Sequence, residues 1–448
     1  MKVFIKTYGC PLNEFDSLVI EHYLNENGYQ ITNSIEDADV LILNTCGVKK
    51  QSEDKIIDFV KRLNKRFPYK KLIITGCLPL INFERVTKEL KFSAVTGPSV
   101  GRRILEVFEA IENNDNLVMH LDNGFYGRQC PIDLKVSLGN IISFPVGVSS
   151  GCLDKCSFCG TRHARGSVKS LPIDVVVKLI NNVLKRGVRE FLLTSSDVGA
   201  YGFDLNPKVS IIDLLRAINS LEGSFIVRIG MMNPRWAYKW IDELIELFRS
   251  SEKFYYFLHI PVQCGSNRLL KIMRRGHGVE EYIEVVKRLR KEVDDKFSIE
   301  TDVIVGHPGE SDKDFEETLS ILKESEPDYV NISKFFPRPN TPSKYMKQIP
   351  SQVVKQRSRT VSFLVDSIMF KRNALWMGWR GTIFINEEGK NRTFVGRNYA
   401  YKIFVVKGDN LLGKTVWIEA LEPHTTWISA RYIKETEGFS LFNSKLAA

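Results

Sequence analysis

Cys152, Cys156 and Cys159 place three thiols on one short loop, the segment Gly151 to Gly160. Soft thiolates at this spacing can hold three corners of a cubic iron–sulfur cluster. The fourth iron then lacks a protein ligand and is open to chelation by an amino and a carboxylate group, which S-adenosylmethionine (SAM) offers. A second reading uses the same loop: Cys156, Cys159 and His163 have C-x2-C-x3-H spacing, which with Cys152 would make a structural Cys3His zinc site. Position favours the cluster. The loop follows the apolar run Ile141 to Val148 and precedes a helical pattern from Asp174 to Arg186, so it sits at the C-terminal end of a strand in a βα unit. That is where α/β folds hold their chemistry.

A second trio is spread along the N-terminal segment, which alternates strand and helix. Strands are expected at Val3 to Tyr8, Val40 to Asn44 and Leu72 to Thr75, with helices at Phe15 to Asn25 and Ser52 to Lys65. Such alternation implies a parallel, doubly wound sheet. Each of the three strands runs into a cysteine: Cys10, Cys46 and Cys77. Parallel strands end on one side, so the fold would gather these thiols at a single rim as a second three-thiolate site. The plain alternative is that a small, soft side chain merely fills strand ends.

Loose composition from Asn113 to Asn140, with Asn113 to Asn116 and Asp122 to Gly124 as turn-rich stretches, reads as a linker. Six apolar runs follow, each paired with an amphipathic helix: Ile141 to Val148, Phe191 to Thr194, Phe225 to Ile229, Phe257 to Val262, Ile299 to Val305 and Val330 to Phe336. They make a partial (β/α)6 barrel, open enough for a macromolecular substrate. One of its helices is expected at Ala237 to Phe248 and the last at Val353 to Ala374. After Arg380, five short β-rich segments suit a small antiparallel barrel. The domains are therefore 1–112, a linker 113–140, the partial barrel 141–375, a small β-barrel 376–436 and a tail 437–448. Arg392, Arg397, Lys402, Lys407 and Arg431, interleaved with Phe394, Tyr399, Tyr401 and Trp427, have the make-up of a nucleic-acid surface.

The 448 residues carry a formal net charge of +10, which suits a polyanionic partner such as RNA. No run of apolar residues is long enough to span a membrane, and the N-terminus runs straight into a strand without a cleavable signal pattern. A cytoplasmic, reducing location follows, where eight cysteines serve as metal ligands or buried thiols rather than disulfides. Cys130 and Cys264 have no partner in any spacing pattern and are expected to be free.

Together these features resemble the methylthiotransferase family of radical SAM enzymes, with its three-cysteine N-terminal domain, radical SAM barrel and C-terminal TRAM domain. Thr161 to Gly166, Leu193 to Gly202, Arg228 to Pro234, Phe335 to Pro339 and Gly396 to Asn398 look like the archaeal and eukaryotic members that act on N6-threonylcarbamoyladenosine beside the tRNA anticodon. The resemblance implies two 4Fe-4S clusters. Cys152, Cys156 and Cys159 would bind the one that cleaves SAM to a 5′-deoxyadenosyl radical, and Cys10, Cys46 and Cys77 an auxiliary one that delivers sulfur. One SAM would supply the methyl group and another the radical that takes hydrogen from adenine C2. It further implies tRNA as partner, a low-potential electron donor and a sulfur source. Relatives acting on isopentenyl-adenosine or on a ribosomal-protein aspartate share all six cysteines, and a zinc-stabilised RNA-binding protein is the non-catalytic alternative.

Further SAM contacts follow from strand position: Phe158 inside the cysteine loop, Ser195, Ser196 and Asp197 after the second barrel strand, and Arg228 on the third. Gln263 and Ser266 follow the fourth, and Gly306 to Glu310 the fifth. A threonylcarbamoyl group carries a carboxylate, for which Arg165 and Arg338 are the candidate cations. The chain departs from the family pattern at Gly160, where a larger, often basic residue is common, and at Cys264, where a serine is usual.

Overall fold

The computed structural model describes residues 1–113, 118–121, 130–138 and 141–442. Its N-terminal unit is a six-stranded, all-parallel sheet in which Gln30–Ile31, Lys2–Thr7, Val40–Thr45, Lys71–Gly76, Ala94–Thr96 and Val118–His120 lie side by side in that order. The central strand Val40–Thr45 is buried along its whole length, which is why its sequence is a continuous apolar run rather than an alternating one. Chain direction across the sheet reverses between the first strand, Lys2–Thr7, and this one. Such a switch point opens a crevice beyond the strand ends. Cys10 and Cys46 stand just beyond those two ends.

Two parts of this unit were not foreseen. Val118–His120, inside the expected linker, forms the sixth strand beside Ala94–Thr96. Residues 130–138 pack along the first helix, with His22 and Glu21 accepting from the amides of Lys135 and Ser137. Of the turn-rich stretches, residues 114–116 and 122–124 lie outside the described residues.

The helix Pro11–Glu26 starts with proline at its first turn, a position where the missing N–H costs nothing. It buries Leu12, Phe15, Val19, Ile20 and Tyr23 against the first barrel strand, Ser143–Gly147. A Cβ on Gly147 would stand 2.4 Å from the Phe15 ring, so glycine there sets how closely the helix approaches. Burial of one such phenylalanine stabilises by about 2 kcal/mol.

Six parallel strands then run in sequence order, as expected, in two three-stranded sheets joined by a bridge between Val227 and Phe254. The expected helix Ala237 to Phe248 is two helices, Pro234–Lys239 and Ile241–Ser250, broken at Trp240. Helix Ser351–Ala374 leads to the C-terminal unit, a closed five-stranded barrel. Beyond it Leu441 and Phe442, expected as tail, are buried, while 443–448 lie outside the described residues. One continuous apolar cluster runs from Val3 and Phe15 through the partial barrel to Phe404 and Phe442, so the three units share a core.

Candidate active site at the interdomain seam

Two conformational demands fix the N-terminal cysteine loops. Gly9 takes φ +120°, and a Cβ there would stand 2.9 Å from the Cys46 Cβ. Gly76 takes φ +96° with the Thr45 carbonyl 2.3 Å from where its Cβ would be. Only glycine adopts such φ values at no steric cost, so the residues before Cys10 and Cys77 let these loops crowd together. Asn13 is the hub. Its Nδ2 donates to the carbonyls of Tyr8 at 2.9 Å and Thr45 at 3.2 Å, while its Oδ1 lies 3.9 Å from the Cys77 Sγ. Cys10 is exposed, Cys46 half-buried and Cys77 buried; burial pushes the Cys46 thiol up and that of Cys77 to about 12.

The second trio lies across the seam. Short helix Thr161–Arg165, directly after Cys159, packs against Cys77–Ile81, which begins with the third N-terminal cysteine. Arg165 is 2% exposed and reaches back to Asn13 Oδ1 and Asp16 Oδ2, both at 2.7 Å. Arg338, 4% exposed after the sixth barrel strand, pairs with Glu53 at 2.5 Å and donates to the carbonyls of Gly47 and Val48 beside Cys46. These are the two arginines expected to read substrate. Both are instead built into the joint between the domains, because a guanidinium buried this deeply must be paired.

Within the Cys152–Cys159 loop, Cys156 Sγ accepts from Arg275 at 3.3 Å and Cys152 Sγ from the Asp154 amide at 3.3 Å. Burial pushes Cys152 to about 12, with Asp197 and Asp154 adding to it; burial also raises Cys156, and Arg275 opposes that rise. Asp154 in turn accepts from Asn233 at 2.6 Å and pairs with Arg235. Ser157 is held by Ser343 at 2.9 Å, and His307 donates or accepts at Ser343 Oγ at 2.8 Å. Arg275 was not singled out from the sequence, and Asn233 and His307 were named only within the stretches Arg228 to Pro234 and Gly306 to Glu310. Their only signal is a polar, glycine-flanked setting after short strands or helices, which ordinary turns share.

Of the expected SAM contacts, Asp197 is buried within 4.8 Å of the Cys152 thiol and Asp154. Burial raises its carboxyl to about 6, while amides of Asn233 and Gly199 pull the other way. Ser195 Oγ meets Ser149 Oγ at 2.7 Å. Phe158 is half-buried with its ring edge-on to His307, centroids 6.1 Å apart. Gly306 donates its amide to Glu310 at 2.8 Å. Arg228 lies deeper in the barrel, 3.3 Å from Glu300 and over the Phe257 ring. Ser266 donates to Asp314 at 2.6 Å, a bond within the helix-capping network of Asp312–Ser325.

The residues fit the implied groups. Ser196 Oγ, Gln263 Oε1 and Arg275 Nε are buried with no hydrogen-bond partner among the described residues, and the same Arg275 guanidinium reaches Cys156 Sγ. Each such atom costs about 1–3 kcal/mol unless a ligand satisfies it, and SAM bears matching polar groups. Zinc fits less well. Tetrahedral ligation puts sulfurs about 4 Å apart, yet among the described residues Cys152, Cys156, Cys159 and His163 do not gather within 4.8 Å of one another, and His163 is exposed.

Comparison with known proteins agrees with this architecture. Residues 146–322 match the Radical SAM superfamily, and residues 2–97 match Uncharacterized protein family UPF0004. Over 408 residues the chain is 38% identical to the probable threonylcarbamoyladenosine tRNA methylthiotransferase of Archaeoglobus fulgidus, covering 91% of this chain and 93% of that one. The chain belongs to the radical SAM threonylcarbamoyladenosine tRNA methylthiotransferase family. The Homo sapiens threonylcarbamoyladenosine tRNA methylthiotransferase is 31% identical over 449 residues, 99% of this chain and 76% of that one. The radical S-adenosylmethionine methyltransferase TsrM from Kitasatospora setae shares the fold, with a TM-score of 0.55 at 12% identity over 77% of this chain and 75% of that one.

Two departures from the methylthiotransferase pattern now have a physical setting. A Cβ on Gly160 would sit 3.3 Å from the Ile81 side chain of the Cys77 helix, so a larger residue here requires Ile81 to give by a few tenths of an ångström. Cys264 is fully buried against Leu269, Leu270 and Met273, where a thiol packs as a small apolar group. Cys130 is likewise buried.

The C-terminal barrel divides the residues expected on a nucleic-acid surface. Lys402 is fully buried on Asp328, Phe394 and Tyr399 are buried, and Arg397 lies over the Tyr401 ring at 4.2 Å. Arg392, Lys407 and Arg431 remain exposed.

Proposed function

We propose that this chain converts N6-threonylcarbamoyladenosine beside the tRNA anticodon to its 2-methylthio derivative, acting in the cytoplasm. The observation that carries this reading is the juxtaposition of two three-cysteine sites across one seam, in a chain aligned over nine-tenths of its length with a relative bearing that name. Cys152, Cys156 and Cys159 would hold one 4Fe-4S cluster, and Cys10, Cys46 and Cys77 a second. When bound, the clusters and SAM supply the electron, the radical, the sulfur and the methyl group. A low-potential electron donor and a sulfur source complete the partner set.

The chain's own groups bind and orient. Asp197, Ser195 and Ser196 at the second strand end present a carboxylate and hydroxyls suited to the SAM ammonium. Gln263 offers an acceptor and Arg275 a donor. Arg275 also supports negative charge on the Cys156 sulfur, offsetting the desolvation that opposes a thiolate. Arg165 and Arg338 fix the auxiliary loops relative to the barrel, so the adenine carbon faces both sites at once; a misplacement of about 1 Å costs such an arrangement roughly a hundredfold in rate. An aromatic C–H has no acidic proton to remove, which is why positioning next to a radical source rather than a general base is what the protein must provide.

Reconstituted protein given SAM and reductant should methylthiolate tRNA bearing threonylcarbamoyladenosine and leave the same tRNA with plain adenosine untouched, read by mass spectrometry of the nucleosides. Equal product on both RNAs, or product only on isopentenyl-adenosine tRNA, would refute the substrate assignment.

A further inference from the structure

The threonylcarbamoyl group ends in a carboxylate, and that charge, drawn into a partly water-excluded seam, requires a cation. Arg165 and Arg338 are already paired with Asp16 and Glu53. Deeper in the barrel, Arg228 faces Glu300 and His259 faces Asp302. The cation has to come from elsewhere on the rim.

The loop after Cys46 meets that need. Arg338 grips it by the carbonyls of Gly47 and Val48, which directs the next side chains over the end of the sixth barrel strand. Val48 is 53% exposed, Lys49 and Lys50 are exposed, and among the described residues neither lysine makes an ion pair or hydrogen bond. Lys50 Nζ stands 4.9 Å from the centroid of the Phe336 ring, itself 40% exposed. Lys49 precedes Lys50 and is exposed; burial raises the Asp302 carboxyl in the barrel, and His259, Asn331 and then the Lys49 charge bring it below its ordinary value. Two exposed ammonium groups thus lie within four residues of Cys46, that of Lys50 beside an exposed apolar ring.

We propose that Lys49 and Lys50 read the carboxylate of the threonylcarbamoyl group, with Phe336 as the apolar surface on which the modified nucleoside rests. This inference rests on the substrate reading above. It explains how the same loop that bears Cys46 couples substrate identity to the sulfur-delivering site: a substrate that engages the lysines brings its adenine toward Cys46, and one without the carboxylate is not drawn there.

The test is a cycle between protein and substrate charges. Anticodon stem-loops carrying the threonylcarbamoyl group, or the same group with its carboxylate converted to an amide, are assayed for kcat/KM and for affinity by fluorescence anisotropy. The protein is wild type, Lys49→Met, Lys50→Met and the double variant, whose exposed positions tolerate the exchange. Wild type should prefer the carboxylate by about 10- to 100-fold, the range of a charged hydrogen bond. The double variant should lose that preference to within about threefold, with Lys→Arg exchanges keeping most of it. A wild-type preference that survives the double substitution overturns this inference alone. A wild type inactive on the threonylcarbamoyl stem-loop overturns the substrate reading, and this inference with it.

Discussion

At the scale of single residues, the duties proposed for the six cysteines should be separable, because each trio follows strands of a different sheet. Replacing Cys152, Cys156 and Cys159 together by Ala should leave about half the iron and no SAM cleavage. The complementary change of Cys10, Cys46 and Cys77 should keep reductive SAM cleavage but abolish methylthio transfer, and persistent thiolation there would exclude the sulfur-delivery role. The arginines show why residue type alone misleads. Arg338 and Arg165 have the chemistry to bind a carboxylate, and they do bind one, but it belongs to Glu53 and Asp16 of the same chain. Arg338→Met should therefore destabilise the protein by about 3–5 kcal/mol in urea denaturation, since Glu53 is left buried with one fewer cation. A loss below 1 kcal/mol would mean that Arg85, also bonded to Glu53 at 2.8 Å, suffices.

At the scale of elements, the C-terminal barrel has an inner and an outer set of basic and aromatic residues. Its inner set docks it: Tyr256 packs edge-on against Tyr399, Tyr255 and Phe257 meet Tyr401, and Asn386 reaches Glu190 at 3.0 Å. Deleting the barrel would uncover this packed surface, so charge reversal on the outside is the cleaner probe of RNA binding. Arg392→Glu with Lys407→Glu should weaken tRNA binding and lower the slope of log affinity against log salt by about two. An unchanged slope would place the RNA elsewhere. Both segments were legible as short strands; burial alternates along Ile403–Lys407 and Thr393–Arg397, and which cations face outward depends on the partner surface.

For the molecule as a whole, the junction of the three units is electrostatic as well as apolar. Asp328, fully buried, is surrounded by Lys402 at 2.8 Å, Arg372 at 3.0 Å and Arg290 at 3.1 Å, drawn from the small barrel and two helices. Burial alone would raise its carboxyl; Lys402, Arg372 and Arg290 outweigh that and hold it well below the usual carboxylate range. A depressed folded-state pKa contributes stability that is complete above the unfolded value near 4 and is lost as pH falls toward the folded one. Asp328→Asn should cost about 3–5 kcal/mol at pH 7 by leaving three cations uncompensated. The gap between wild type and variant should narrow as pH drops below about 4. A gap that stays constant to pH 2 would show that Asp328 contributes through hydrogen bonds and not through its charge.

What the sequence determined by itself was local and periodic. Cysteine spacing on one loop, strands that each run into a cysteine, six βα repeats and five short β segments are all readable because side-chain period and turn residues act over a few positions. The six candidate cysteines stood out for that reason, and the order of the three units was legible in the same way. The tertiary structure decided everything that depends on what lies opposite. It turned residues 118–120 from expected linker into a sheet strand, because an open parallel edge was there to pair with. It split Ser196, with an unpartnered hydroxyl, from Ser266, bonded to Asp314, though both are serines after barrel strands. It assigned Arg165, Arg338 and Lys402 to buried ion pairs and left Lys49 and Lys50 without an ion pair among the described residues. Charge pairing is set by proximity across the fold, where residues hundreds of positions apart meet, and no local pattern in the chain encodes it.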